Sequence, residues 1–229
     1  AKNEKLFSIS MREALALAKQ YGLKAEEAEV FKNLGLGYFR LGLYDSAKHY
    51  TDSALIFVDN YTLTDKKADF LTHLAIQLLV SNPDSAKTIS YNVLKIAKAN
   101  NQKREEAFAL ELLAFLYRGQ NLDTAMILYN QSIKILRENG LKSQLLKLSI
   151  ILTSMREVIR PVSLWQEYLN QGLQVAGELN SRIDSFYLLW NSAYAATHLG
   201  DYPASLGTFL KLLEMSKEIG RENNIPTIL

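Results

Sequence analysis

The chain has 229 residues, and 48% of them are hydrophobic, so it can bury a continuous core and is not a disordered tail. Its 26 basic and 24 acidic residues leave a net charge of +2, which is far from the basic excess typical of nucleic-acid binding. The absence of cysteine excludes disulfides, thiolate metal sites and cysteine nucleophiles, and no apolar stretch approaches the roughly 20 residues of a membrane span.

Apolar residues recur at helical spacing along the whole chain, and no period-2 alternation competes with them. Ala, Leu, Lys, Glu and Gln, which favour helices, dominate the composition. Turn and cap residues such as Asn82, Gly140, Pro161 and Gly200 divide the pattern into segments. We predict a single helix in 1–22, helix pairs in 24–61, 64–100, 103–140, 143–180 and 182–220, and the start of a following segment in 221–229.

Small residues repeat at a nearly constant step in these pairs. In the first helices they are Gly35, Ala75, Ala114 and Ala193, and in the second helices they are Ala47, Ala86, Ala125 and Ala204. The steps are 39 or 40 residues, or 79 where the fifth pair is passed over. We predict that the two helices of a pair cross closely at the small residues. Because one pair cannot bury its whole apolar surface, successive pairs should stack.

The stretch 28–61 shows the repeat most fully and resembles the tetratricopeptide repeat (TPR) family. Its matching features are a bulky residue, a Leu–Gly step, a Tyr, a glycine turn and two alanines, at Phe31, Leu34, Gly35, Tyr38, Gly42, Ala47 and Ala54. Followed at its period, the resemblance covers nearly the whole chain. It implies an all-α fold, a single α-solenoid of stacked antiparallel helix pairs with about eleven helices over 1–229. It also implies a protein or peptide partner.

The fifth pair, 143–180, departs from the pattern. Leu148, Ile151, Leu152 and Met155 can fill its core, but no small residue replaces Gly35 in its first helix. Trp165 has no counterpart in the other pairs. The register of this pair is therefore open.

In the family, the first helices line the concave face of the solenoid and bind the partner. Carried onto this chain, the resemblance implies a groove formed by Lys32, Asn33, Leu36, Phe39, Arg40, Thr72, His73, Ile76, Glu111, Phe115, Arg118, Tyr187, Trp190, Asn191 and Tyr194.

Lys32, Asn33 and Arg40 share one helix face and resemble part of the carboxylate clamp of chaperone-binding TPR proteins. That clamp also needs basic or amide residues on the next first helices, where this chain has Thr72, His73 and Ile76. The alternatives are a more general contact with an acidic group and a solvated polar face.

Tyr187, Trp190, Asn191 and Tyr194 form a second cluster in the last pair. Aromatic rings with an amide partner can hold a peptide or stack on a sugar ring. The alternative is that these residues pack against a further repeat.

We find no catalytic grouping. The three histidines, His49, His73 and His198, have no metal-ligand spacing, and the Gly35–Gly37 pair lies within a helix. The sequence therefore predicts a protein that is not an enzyme and has no cofactor.

The expected function is a peptide-binding module in the sensing or scaffolding part of a larger bacterial signalling protein, with a small-ligand or glycan-binding solenoid as the alternative. The start without Met and the end at NNIPTIL favour an excised, soluble region, cytoplasmic or periplasmic. Its parent could be a membrane-anchored sensor. We expect no nucleic-acid binding by this region, and contacts between copies through exposed solenoid ends.

Overall fold

A computed structural model describes residues 2–156, 158–159 and 161–218 of the chain. Over these ranges it contains eleven α-helices and no strand, which confirms the predicted all-α class and number of helices. The helices are α1 (Lys2–Gln20), α2 (Lys24–Arg40), α3 (Tyr44–Asn60), α4 (Thr64–Ser81), α5 (Pro83–Ala99), α6 (Lys103–Tyr117), α7 (Leu122–Glu138), α8 (Lys142–Ser154), α9 (Val162–Glu178), α10 (Arg182–His198) and α11 (Tyr202–Glu218). We call α2, α4, α6, α8 and α10 the A helices, and α3, α5, α7, α9 and α11 the B helices.

Tight turns of one kind end most of the helices. After α2, Gly42 adopts a left-handed conformation with φ of 75°. The Leu43 N–H donates to the Tyr38 carbonyl at 2.9 Å, and the Gly42 N–H donates to the Phe39 carbonyl at 3.0 Å. These two bonds form a Schellman motif, which satisfies carbonyls at a helix end. The longer-range bond recurs after α1, α3, α5, α7, α9 and α10, so the turns repeat together with the helices.

Residue contacts group the chain into two compact units, Ala1–Ile135 and Leu136–Leu229. In the first unit each helix from α1 to α6 packs against the next, and α4 also packs against α2 and α6. In the second unit α8, α9, α10 and α11 pack in the same order, and α8 also contacts α10. Contacts with the next helix and with the next but one are those of stacked helix pairs. A single continuous solenoid over 1–229 stays a prediction.

The small residues predicted at the helix crossings are buried. Ala75, Ala114 and Ala193 have no exposed surface, and Gly35 is also buried. A Cβ added to Gly35 would collide with Thr51 Oγ1 on α3. The predicted close approach of an A and a B helix is thereby confirmed at Gly35, and the three alanines are buried as such a crossing requires.

The fifth pair keeps the repeat, with different residues at its crossing. Thr153 of α8 is buried 39 residues after Ala114, and Trp165 of α9 is buried 40 residues after Ala125. The Trp165 Nε1–H donates to the Thr153 carbonyl at 2.8 Å. The expectation that Trp165 has no counterpart is therefore wrong: it occupies the place of Ala47, and its indole bonds to the backbone of the facing helix.

The last pair is shifted by one residue from the prediction. Ala204 is exposed, whereas Ser205 is buried and donates its hydroxyl to the Ala193 carbonyl at 3.1 Å. Ser205, and not Ala204, is the equivalent of Ala47. With Thr153, Trp165 and Ser205 included, the crossing recurs every 39 or 40 residues without a gap.

Candidate functional site

The candidate site is the surface formed by the A helices of the first unit. Because α4 packs against both α2 and α6, residues predicted from three separate repeats become neighbours there. We call this the A-helix surface. It is described below from α2 to α6.

An ion-pair network joins α2 to α4. Lys32 Nζ lies 2.5 Å from Asp69 Oδ2 and 2.6 Å from Glu29 Oε2, and Lys66 Nζ lies 3.3 Å from Glu29 Oε1. The Lys32 side chain is only 11% exposed. Its charge is thus already compensated within the chain, so it does not supply the free cation that the clamp resemblance implies. The predicted neighbours Asn33 and Arg40 are exposed.

The network also fixes the ionisation of its members. Burial disfavours the charged form of Asp69, but the neighbouring His73 imidazole and Lys32 ammonium outweigh burial and hold the pKa of Asp69 well below its ordinary value. Burial likewise opposes the charge on Lys32, yet its hydrogen bonds with Asp69 and Glu29 raise its pKa. Asp69 and Lys32 therefore form a charged pair at neutral pH.

A small cavity of about 70 Å³ lies between α4 and α6. Asp69, Thr72, His73, Ile76, Arg104, Glu105 and Phe108 line it. His73 Nε2 is 3.6 Å from Asp69 Oδ1, while His73 Nδ1 is buried and has no hydrogen-bond partner in the described part of the chain. At about 30 Å³ per water, the cavity has room for roughly two waters or one small side chain.

Thr72 lines this cavity but offers little exposed surface to a ligand. It is buried, and its hydroxyl donates to the Ala68 carbonyl at 2.8 Å within α4. Its place in the predicted groove is therefore corrected, since only His73 and Ile76 of the three α4 residues are partly exposed.

On α6 the predicted aromatic residue is accessible. Phe115 is 41% exposed, and the Arg118 guanidinium carbon lies 4.9 Å from the centre of its ring. Glu111 accepts a hydrogen bond from Ser132 Oγ at 3.0 Å, which ties it to α7. On α2, Leu36 and Phe39 are half-buried.

The predicted cluster on α10, in the second unit, is partly used for packing. Asn191 Nδ2 donates to Thr153 Oγ1 at 2.9 Å on α8, and Trp190 contacts Phe209 on α11 with ring centres 5.5 Å apart. Tyr187 and Tyr194 remain 43% and 53% exposed. Two of the four residues therefore hold the second unit together, and the two tyrosine side chains stay partly exposed.

Sequence reasoning missed Asp69, Arg104, Glu105 and Phe108. A usable signal existed in the spacing of opposite charges, since Glu29–Lys66 and Lys32–Asp69 are both 37 residues apart and both join α2 to α4. Charge pairs at a fixed offset near the repeat length indicate contacts between successive A helices.

Two further observations concern the described residues only. No group of three or more His, Asp or Glu side chains is placed to hold a metal ion there. None of the helices in these ranges combines the length and the apolar character needed to cross a membrane.

No family model and no curated protein matches the chain, but solved structures do. BtubC (BKLC) from P. vanneervenii superposes with a TM-score of 0.77 at 15% identity, covering 100% of this chain and 95% of that one. Aspartyl phosphate phosphatase F from Bacillus subtilis superposes with a TM-score of 0.68 at 14% identity, covering 86% of this chain. This chain spans 56% of the phosphatase, so about half of its length. At these identities the likeness shows a shared helical-repeat fold.

Proposed function

We propose that the chain is a non-catalytic, TPR-like protein-binding module, and that the A-helix surface of the first unit binds an extended peptide segment of its partner. The observation that carries the proposal is the exposed Phe115 ring, which lies on the helix that also lines the small cavity near His73. A large apolar side chain that becomes buried by a partner can supply much of the binding free energy.

The charge of this surface determines what kind of peptide it suits. Lys32 is neutralised by Asp69 and Glu29, so the exposed arginines offered to a partner include Arg40, Arg104 and Arg118. A peptide with apolar side chains and one acidic group fits this arrangement. Contact with the aromatic ring would supply most of the affinity, and the arginines would orient the peptide and speed its capture.

The non-catalytic part of the proposal is supported by the sequence, which lacks cysteine and any recognisable nucleophile–base pattern. The similarity to a phosphatase does not weaken it, because a likeness at 14% identity concerns the fold. We further propose that the module belongs to the regulatory or scaffolding part of a larger protein.

Peptides selected from a displayed random library against the purified chain would test the proposal. We expect Phe115→Ala to weaken the selected peptides by about 1–3 kcal/mol, because the exposed aromatic contact is lost. Ile56→Ala is the matched control, since Ile56 is 62% exposed on the B helix α3 of the same unit. Peptides that bind Phe115→Ala normally and crosslink beside His49 and Lys87 would contradict the proposal.

A further inference from the structure

A large cleft lies on another part of the chain, in the second unit. It has a volume of about 740 Å³ and is formed by the end of α7, the start of α8 and one face of α9. We call it the α9 cleft. Its size is within the 300–1,000 Å³ typical of ligand sites, about ten times that of the cavity near His73.

Amide side chains form a stripe along the α9 side of this cleft. Gln166, Asn170 and Gln174 are exposed and follow one another at four-residue intervals. Neither Gln166 nor Asn170 has a side-chain hydrogen bond to another described residue, whereas Gln174 Nε2 donates to Glu178 Oε1 at 2.9 Å. Each amide offers a carbonyl acceptor and N–H donors, which are the same groups that a peptide bond presents.

The spacing of the stripe matches that of an extended peptide. Four residues of α-helix rise about 6 Å, and two residues of an extended strand advance about 6.6 Å. Successive amides on α9 can therefore face every second peptide group of a strand laid along the helix.

The remaining lining fits a peptide better than a charged polymer or a sugar. Arg137 and Lys142 are balanced by Glu167 and Glu178, with Lys142 Nζ 3.0 Å from Glu178 Oε2. With Gln171 turned so that its oxygen faces the guanidinium, Arg137 Nη2 donates to it at 3.0 Å. None of the residues that line the cleft is aromatic, so a sugar ring finds no stacking surface.

The floor of the cleft is apolar. Leu136, Leu145 and Val175 are buried beneath the polar rim. In an extended peptide alternate side chains point to opposite sides, so one set would face this floor while the backbone faces the amides.

We propose that the α9 cleft binds an extended peptide segment through its backbone, with Gln166, Asn170 and Gln174 each pairing with an alternate peptide group. This site is separate from the A-helix surface and selects for extended conformation more than for sequence. Because the cleft is close to neutral, binding changes little with salt, unlike that of a nucleic acid.

The test uses the whole chain and a capped octapeptide of alternating serine and threonine, followed by NMR of the side-chain amide groups. We expect a millimolar excess of peptide to shift the amide signals of Gln166, Asn170 and Gln174. Methylation of every backbone nitrogen should abolish the shifts, because it removes the donors on both edges of the peptide, whereas O-methylation of the serine and threonine side chains should not.

The double variant Asn170→Ala, Gln174→Ala should lower the affinity about tenfold, because two hydrogen bonds are lost. Asn92→Ala, at an exposed amide on the B helix α5, should leave it unchanged. The proposal is overturned if the peptide does not shift these signals, if maltohexaose shifts them equally, or if the fully N-methylated peptide binds as well as the unmodified one. Phe115→Ala should not affect this peptide, so failure here is distinct from failure of the A-helix surface.

Discussion

Asp69 shows how one residue can connect packing with the candidate site. Its carboxylate bonds to Lys32 on the preceding A helix and approaches His73 on its own helix. Since its pKa is lower in the folded chain than the ordinary 3.8, ionised Asp69 stabilises the fold above pH 3.8. That contribution is lost as the pH falls from 3.8 toward the folded pKa.

We therefore expect Asp69→Asn to reduce the free energy of unfolding by about 1.5–3 kcal/mol at neutral pH, the range for hydrogen bonds to charged groups. The difference from the wild type should shrink as the pH drops below 3.8, and urea unfolding at several pH values measures it. Asp52→Asn is the control, because its pair with Lys48 is exposed and screened by solvent, so its loss should change stability little. A difference between wild type and Asp69→Asn that stays constant down to acid pH would be inconsistent with this account.

For single residues, the sequence predicts the position on a helix but not the group that the side chain contacts. The repeat placed Lys32 and Thr72 on A helices, but a helix period cannot show that Lys32 pairs with Asp69 or that Thr72 turns inward. Those outcomes depend on the offset between successive A helices and on side-chain rotamers. Phe115, at a place in the repeat where no neighbouring helix covers the ring, is accessible as predicted.

At the scale of the helix pair, the crossing between A and B helices determines the repeat. Ala114 on α6 is fully buried at its crossing. We expect Ala114→Leu to destabilise the chain by about 1–3 kcal/mol through overpacking, as measured by thermal or urea unfolding.

Ala204→Leu provides the comparison for this substitution. The sequence also predicts a helix crossing at Ala204. In the structure, however, Ala204 is exposed, because Ser205 occupies the buried position. Leucine at 204 should therefore change stability by less than about 0.5 kcal/mol. If both variants lose equal stability, the register assigned to α11 is incorrect.

The helices themselves were predictable because glycine turns, caps and apolar spacing agree along most of the chain. Prediction failed where one residue type replaced another at the crossing. At the fifth crossing, the Trp165 indole N–H on α9 donates to the Thr153 backbone carbonyl on α8. A pattern of small residues does not reveal a contact of this kind. In α11 the equivalent position is Ser205, which lies three residues after the start of its helix as Ala47 does in α3, whereas a step counted from Ala125 points to Ala204.

At the scale of the whole molecule, stability in stacked helix pairs is local, since each pair contacts mainly its neighbours. The fifth pair differs most from the others. Its A helix, α8, has 13 residues, whereas α4 and α6 have 18 and 15. A shorter helix has fewer internal hydrogen bonds to resist opening.

We accordingly expect amides in 143–178 to exchange faster than those in 64–138 when hydrogen exchange of the intact chain is followed by mass spectrometry. Trp165→Ala should accelerate exchange further in 143–178, because it leaves a cavity and an unpaired Thr153 carbonyl. Exchange in α4 to α6 should be unaffected by that substitution, since these helices belong to the other compact unit. Better protection of 143–178 than of 64–138 would mean that the fifth pair is not the first to open, and an equal response of both regions to Trp165→Ala would mean that the chain unfolds as one cooperative body.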